Sequence, residues 1–122
     1  MSQEGPFEYR GKTVGVIVPA YNEEKLIGKV LRTVPSFVDH VIVIDDASPD
    51  RTGEVVKEHQ EGDSRIVYLR LKRNEGVGGA IVAGYKWARE HEIEISVVMA
   101  GDAQMDPGDL PHLLDPIVAG EA

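Results

Sequence analysis

The stretch TVGVIVPAYNEE, residues 13–24, decides the fold of this chain. Its first seven residues, TVGVIVP, are mostly apolar and rich in β-branched side chains, which is typical of a strand buried on both faces. The sequence then turns polar at Asn22 and Glu23, and from there to Val34 apolar residues recur at helical spacing until Pro35 ends the run. These residues predict a strand, a polar loop and a helix in succession.

Three later segments repeat this pattern. The further predicted strands are residues 40–44, 65–71 and 93–99. The further predicted helices are one opened by Ser48 as N-cap and ending near Gln60, one that begins near residues 76–79, and residues 107–118 with Asp106 as N-cap. Alternating strands and helices favour a parallel sheet with right-handed crossovers. We therefore expect an α/β, Rossmann-like fold of four βα units with helices on both faces.

Length and composition narrow the classes of function. The 122 residues make one domain, which we divide into a flexible N-terminal tail, 1–12, and a folded part, 13–122. A net charge of −8 argues against nucleic acid as a partner, and the absence of Cys excludes thiolate metal sites and cysteine nucleophiles. The polar N-terminus lacks the apolar core of a signal peptide, and no apolar run is long enough to span a bilayer. The expected location is cytoplasmic.

Polar residues gather where predicted strands end. The first strand runs into residues 19–23, the second into 45–48 and the fourth into 101–104. In a parallel sheet these ends share one edge, which is where ligands bind. Carboxylate and amide oxygens there suit a hard divalent cation, which in turn holds phosphates.

Helix capping is the competing interpretation of these polar residues. It accounts for Asn22, Ser48 and Asp106 as N-caps and for nearby acids as complements to the helix dipole. It does not account for the adjacent Asp45 and Asp46 or for residues 102 and 104, so we favour function for those. Tyr21 is predicted to face a ligand, whereas Trp87, on a helix, is predicted to pack in the core.

Other familiar sites are not supported by the sequence. The glycine-rich stretch 73–80 fails the dinucleotide fingerprint because Ile81 stands at the third glycine position, and no Gly-Lys-Ser/Thr follows as in a Walker A loop. Close approach of its backbone, either to a ligand or to the sheet, stays open. The four His residues lack metal-ligand spacing, and no G-x-S-x-G elbow is present, which argues against hydrolase chemistry.

Three segments carry a family resemblance: VIVPAYNEE at 16–24, VIVIDDASPDRT at 41–52 and VVMAGDAQMDPGDLPHLL at 97–114, supported by RNEGVGGAIVAGY at 73–85. In their order and spacing they resemble family 2 glycosyltransferases of the GT-A fold, most closely the dolichyl- or polyprenyl-phosphate sugar synthases. The resemblance covers nearly the whole chain, as the N-terminal, nucleotide-binding part of such an enzyme.

The resemblance implies a set of site residues. The donor nucleotide would contact Pro19, Ala20, Tyr21, Glu23 and Asp46, with Gly76 and Gly78 bordering the pocket and Asp102 at the diphosphate. The family's D-x-D-x-Q element falls on Ala100, Asp102 and Gln104, so its first Asp is missing. Asp102 and Gln104 remain as the implied ligands of Mg²⁺ or Mn²⁺.

The implied function is transfer of a sugar from a GDP- or UDP-sugar to a lipid-phosphate or saccharide acceptor. The family's acceptor-binding half and catalytic base lie beyond the matched segment, so no catalytic residue is assigned and this chain alone is expected to bind donor without transferring sugar. We expect homo-oligomer formation, and in the full-length protein a location at the inner membrane face. Two alternatives stay open: a receiver-like phosphoacceptor domain and a non-catalytic nucleotide-sugar-binding module.

Overall fold

The computed structural model describes residues 12–99. Seven elements follow one another along this part of the chain: β1 (Val14–Ala20), α1 (Ile27–Arg32), β2 (His40–Asp45), α2 (Thr52–Gln60), β3 (Ile66–Arg70), α3 (Gly76–Glu90) and β4 (Ile95–Val98). Strands and helices alternate as the sequence predicts. The predicted helix at 107–118, its cap Asp106 and nearly all of the predicted tail lie outside the described residues.

The four strands form one parallel sheet in the order β3-β2-β1-β4. Strand order reverses at β1, because the chain moves outward from β1 to β3 and then crosses back to β4 on the other side. The register sets Ala20 opposite Asp45 and Asp45 opposite Arg70, so that β1, β2 and β3 end at the same level. The loops after these strands therefore meet at one edge, beside the point where ligands of such sheets bind.

Helices cover both faces of the sheet, and each face has its own apolar cluster. On one face, valines of β1 and β2 pack with Ile27 and Val30 of α1 and Val56 of α2. On the other, Ile17 and Ile42 pack with Ala80 of α3. Every β1 residue except Pro19 is buried, which explains why the strand is an uninterrupted apolar run rather than an alternating one. The predicted α/β, Rossmann-like fold is confirmed.

Helix α3 lies unusually close to the sheet at Gly84. A Cβ built on this glycine would overlap the side chain of Ile17 in the central strand. Trp87, one turn further on, is half-buried against the same cluster and stacks on His91 with ring centroids 3.7 Å apart. The prediction that Trp87 packs in the core is therefore correct.

Two helix starts differ from the sequence prediction. Helix α1 begins at Ile27 rather than Glu23, and α2 begins at Thr52 rather than directly after Ser48. Neither of the residues preceding them, Leu26 and Arg51, makes a side-chain capping hydrogen bond. The predicted capping roles of Asn22 and Ser48 were wrong, because both residues belong to loops that are held by partners distant in sequence.

Candidate functional site

The loop after β2 is the centre of the polar edge. Asp46 is buried, with 3% of its surface exposed, and its backbone N–H donates to the carbonyl of Ala20, the last residue of β1, at 2.9 Å. Its Oδ1 accepts the backbone N–H of Glu75, just before α3, at 2.7 Å. The side chain of Asn74 donates to the Asp46 carbonyl at 3.3 Å. Asp46 thus joins the end of β1 to the loops after β2 and β3.

The second oxygen of Asp46, Oδ2, accepts no hydrogen bond from any residue in the range 12–99. A buried carboxylate oxygen without a donor is costly, since buried polar groups in proteins are almost always paired. At the ligand-binding edge of a parallel sheet, such an oxygen is a natural acceptor for a ligand's N–H or O–H group.

The neighbouring Asp45 is bound differently. It is fully buried, and its Oδ1 accepts the backbone N–H of Ser48 at 2.8 Å. Its Oδ2 accepts the hydroxyl of Tyr68 at 2.5 Å and Nη1 of Arg70 at 3.0 Å. Burial and the hydrogen bond to Asp45 raise the pKa of the Tyr68 phenol, which keeps it protonated as a donor. Asp45 is saturated by protein groups, so its role is to anchor the loop.

The loop after β1 is held by side chains that follow β2. The backbone N–H of Asn22, which has φ of 59°, donates to Ser48 Oγ at 3.1 Å, and that of Glu23 donates to Thr52 Oγ1 at 2.9 Å. The N–H of Glu24 donates to Asp50 Oδ2 at 3.2 Å. A cleft of about 350 Å³ opens here, lined by residues 22–26 and Asp50.

Asp50 carries its negative charge at the rim of this cleft. Burial acts to raise the pKa of its carboxyl, but hydrogen bonds from the side chain and backbone of Thr52 and from the Glu24 N–H outweigh that effect. The net result is a pKa below the ordinary value of 3.8. The loop geometry around Glu23 is therefore kept by an ionised carboxylate at neutral pH.

The glycine-rich stretch between β3 and α3 is the third loop at this edge of the sheet. Gly76 has φ of 81°, a conformation that glycine adopts without steric cost, and it opens α3. The side chain of Asn74 accepts the Gly76 N–H at 3.2 Å. Both Gly76 and Gly78 are exposed, and a Cβ built on either would meet no atom of residues 12–99 within 4 Å. The start of α3 therefore leaves room for a ligand to approach its backbone.

The structure places the sequence-predicted site residues as follows. Ala20 and Asp46 are joined by a hydrogen bond, Pro19 precedes Ala20 at the end of β1, and Gly76 follows the Asp46-bound Glu75. Tyr21 is 46% exposed at the same edge, and Glu23 is half-buried beside it. Gly78 lies in the first turn of α3. Asp102 and Gln104 lie outside the described residues.

The two adjacent aspartates, Asp45 and Asp46, look alike in the sequence, and the residues that hold Asp45 come from β3. Tyr68 and Arg70 share one face of β3, two residues apart, with polar ends at Asp45. That spacing was the available signal, because alternate residues of a strand lie on the same face. Among the described residues, no group of three His, Cys, Asp or Glu side chains is arranged to hold a metal ion.

A central strand-order reversal, three converging loops and a buried acceptor at their junction define a ligand-binding α/β domain of the Rossmann type. The family model for glycosyl transferase family 2 matches residues 15–122. The chain therefore belongs to glycosyl transferase family 2, and the resemblance seen in the sequence is confirmed. A receiver-like phosphoacceptor domain is no longer supported.

Similar proteins agree with this family. The chain is 32% identical to a UDP-N-acetylglucosamine–dolichyl-phosphate N-acetylglucosaminyltransferase of Methanococcus voltae, over 88% of this chain and 48% of that protein. It is 36% identical to an undecaprenyl-phosphate mannosyltransferase of Micrococcus luteus, over 83% of this chain and 42% of that protein. The chain thus spans less than half the length of either relative.

Solved structures show the same fold. A mannosyltransferase of Pyrobaculum calidifontis, in complex with GDP-mannose and Mn²⁺, matches with a TM-score of 0.70 and 27% identity over 86% of this chain and 33% of that one. Glucosyl-3-phosphoglycerate synthase of Mycobacterium tuberculosis, in complex with Mn²⁺, UDP-glucose and glycerol 3-phosphate, matches with a TM-score of 0.71 and 25% identity over 92% and 42%. The four-stranded sheet is thus the N-terminal part of a GT-A glycosyltransferase fold.

Proposed function

We propose that this chain is the donor-binding part of a glycosyltransferase that takes its sugar from a nucleoside diphosphate sugar. The observation that carries the proposal is Asp46, a buried carboxylate at the ligand edge with one oxygen bound to Glu75 and the other without a donor in residues 12–99. Both UDP and GDP offer ring N–H groups that such an oxygen can accept. The alternative is a module that binds a nucleotide sugar without catalysing its transfer. It would bind the nucleotide through the same residues.

The other predicted contacts fit around this acceptor. The exposed ring of Tyr21 is available to stack on a base, Glu23 borders the cleft after β1, and Pro19 and Ala20 end that strand beside it. Gly76 and Gly78 leave open space at the start of α3, where backbone N–H groups favour an anionic group. The diphosphate of the donor would thus lie between the loop after β1 and the start of α3.

A divalent cation, Mg²⁺ or Mn²⁺, is the expected cofactor. Solved relatives are in complex with Mn²⁺, and the ligands implied here, Asp102 and Gln104, are oxygen donors of the kind these cations prefer. Bound there, the cation would offset the negative charge of the diphosphate. With Ala100 in place of the family's first Asp, one carboxylate ligand is lost, which weakens the site.

The names of the relatives support a proposal for the acceptor and the location. Relatives transfer sugars to dolichyl or undecaprenyl phosphate, so we propose a lipid phosphate acceptor for the full-length protein, with a saccharide as the second candidate. We propose the inner face of the membrane as the location of the full-length protein, where it would meet such an acceptor. Within residues 12–99 there is no helix with the length and apolar character required to cross a bilayer.

Calorimetric titration tests the proposal. The chain is titrated with UDP and GDP in the presence of Mn²⁺ or Mg²⁺, and we expect one nucleotide to bind and the Asp46→Asn variant to bind it at least about tenfold more weakly, a loss of about 1.4 kcal/mol. Glu61→Gln, an exposed acid at the end of α2, is the matched control and should bind as the unaltered chain does. No binding of either nucleotide would refute the proposal.

A further inference from the structure

The turn at the end of β2, residues 45–48, holds one residue in an unfavourable backbone conformation. Ala47 has φ of 60°, in the left-handed region that residues other than Gly, Asn and Asp rarely adopt. Such a conformation persists only where the surrounding contacts impose it. The contacts around Ala47 therefore decide where its neighbours Asp46 and Ser48 lie.

Arg70, the last residue of β3, supplies these contacts from the adjacent strand. Its Nη1 donates to Asp45 Oδ2 and its Nη2 donates to the carbonyl of Ser48, each at 3.0 Å. One planar guanidinium thus joins the two ends of the turn that contains Ala47. Asp45 also bonds across the turn directly, because its Oδ1 accepts the Ser48 N–H at 2.8 Å.

The clamped turn reaches both of the other loops of the site. Asp46 Oδ1 accepts the N–H of Glu75 at 2.7 Å, next to the glycine-rich start of α3. Ser48 Oγ accepts the N–H of Asn22 at 3.1 Å, in the loop after β1. A shift of the turn would therefore move the Asp46 carboxylate, which is the proposed acceptor for the nucleobase. It would also loosen the loop after β1 and the loop before α3.

We propose that Arg70 is a positioning residue for donor binding: its guanidinium fork holds the strained turn 45–48 so that Asp46 and Ser48 keep the three loops in the arrangement that accepts a nucleotide. This inference rests on the proposed function. Arg70 acts through Asp45 and Ser48. Its side chain is 48% exposed on an edge strand, so its removal leaves the apolar core intact.

Arg65 at the opposite end of the strand provides a matched control. It also pairs with an aspartate, Asp63, and donates to the carbonyls of Pro35 and Val38 at 2.8 and 3.2 Å. These contacts lie at the amino end of the sheet, away from the three loops. Replacing either arginine removes one positive charge and breaks one ion pair. Arg65 is the more buried of the two, with 24% of its side chain exposed against 48% for Arg70, so a merely structural loss should be at least as large in Arg65→Ala.

The first measurement is nucleotide affinity by calorimetry, with UDP and GDP plus Mn²⁺ as probes. Arg70→Ala should weaken binding about tenfold, because only about a tenth of the molecules would keep the competent turn, whereas Arg65→Ala should change it less than about twofold. Arg70→Lys should remain impaired, since an ammonium lacks the planar fork. Adding Ala47→Gly to Arg70→Ala should recover part of the affinity, because glycine adopts the same φ without strain. Unchanged affinity in Arg70→Ala would overturn the inference.

The second measurement needs no ligand and separates this inference from the proposed function. Hydrogen exchange of the Asn22, Ser48 and Glu75 amides should be about tenfold faster in Arg70→Ala, while the β1 amides exchange as before. If the unaltered chain binds neither nucleotide, the proposed function fails, and these rates still show whether Arg70 holds the turn. Unchanged exchange at all three amides would overturn the positioning role, even in a chain that binds nucleotide.

Discussion

Replacing Asp45 with asparagine should destabilise the fold far more than the same change one residue later. Asp45 is fully buried and accepts hydrogen bonds from Ser48 N–H, Tyr68 and Arg70. An amide in its place has one acceptor oxygen, so its NH₂ group faces the donors of Tyr68 and Arg70 in one orientation, or the Ser48 N–H in the other. Hydrogen bonds to a charged group contribute about 1.5–3 kcal/mol each.

The expected loss follows from these bonds with two corrections. The Tyr68 hydroxyl can rotate to accept from the new amide, which retains part of that bond. The bond to Arg70 must be discounted because the arginine is half-exposed and screened by water. We therefore expect Asp45→Asn to lower the free energy of unfolding by about 2–3 kcal/mol.

Asp46→Asn is the matched control, since it makes the same isosteric change at another buried position. An amide oxygen there still accepts the Glu75 N–H, so the free energy of unfolding should fall by less than about 1 kcal/mol. Urea denaturation followed by the fluorescence of Trp87 measures both variants, and the Asp45→Asn midpoint should fall by roughly 1–2 M. Equal losses in the two variants, or a loss under about 0.5 kcal/mol for Asp45→Asn, would refute the assignment of Asp45 as the anchor.

Three further results are expected. Gly84→Ala should lower the free energy of unfolding by about 1–3 kcal/mol in urea denaturation, because its methyl group overlaps Ile17; a neutral effect would contradict the close approach of α3 to the sheet. Hydrogen bonds from Arg65 lower the pKa of Asp63 below 3.8, so the stability that Asp63 adds is present above about pH 4 and is lost as pH falls further. Asp63→Asn should remove this part of the pH dependence of the free energy of unfolding. An unchanged pH dependence in the variant would argue against this contribution. Ala100→Asp should raise Mn²⁺-dependent nucleotide affinity in calorimetry, and no gain would favour a non-catalytic binding module.

The strands and the fold class were predictable because they depend on patterns within short segments. The apolar run of β1 reflects burial on both faces, and the alternation of strands with helices implies parallel pairing. The spacing of apolar residues likewise predicted α1, but not its first residue. Its start at Ile27 follows a loop whose N–H groups bond to Asp50 and Thr52, more than twenty-five residues further on.

The different roles of Asp45 and Asp46 at the candidate site were not predictable from local sequence. Asp45 and Asp46 are adjacent and chemically identical, yet one is saturated by Tyr68 and Arg70 and the other lies at the junction of three loops. Only the pairing of β2 with β3 decides which is which. Ser48 was predicted as a helix cap for the same reason, since its partner Asn22 is distant in sequence.

Paramagnetic broadening by Mn²⁺ and UDP or GDP tests the central claim most directly. If a nucleoside diphosphate binds at the carboxyl edge of the sheet, titration of the ¹⁵N-labelled chain with nucleotide and trace Mn²⁺ should broaden the amides of Tyr21, Asp46 and Gly76 first. The amides of Gly62 and His91, at the opposite end of the sheet, should stay sharp. Nucleotide-independent broadening, or broadening that begins at Gly62 and His91, would contradict the account.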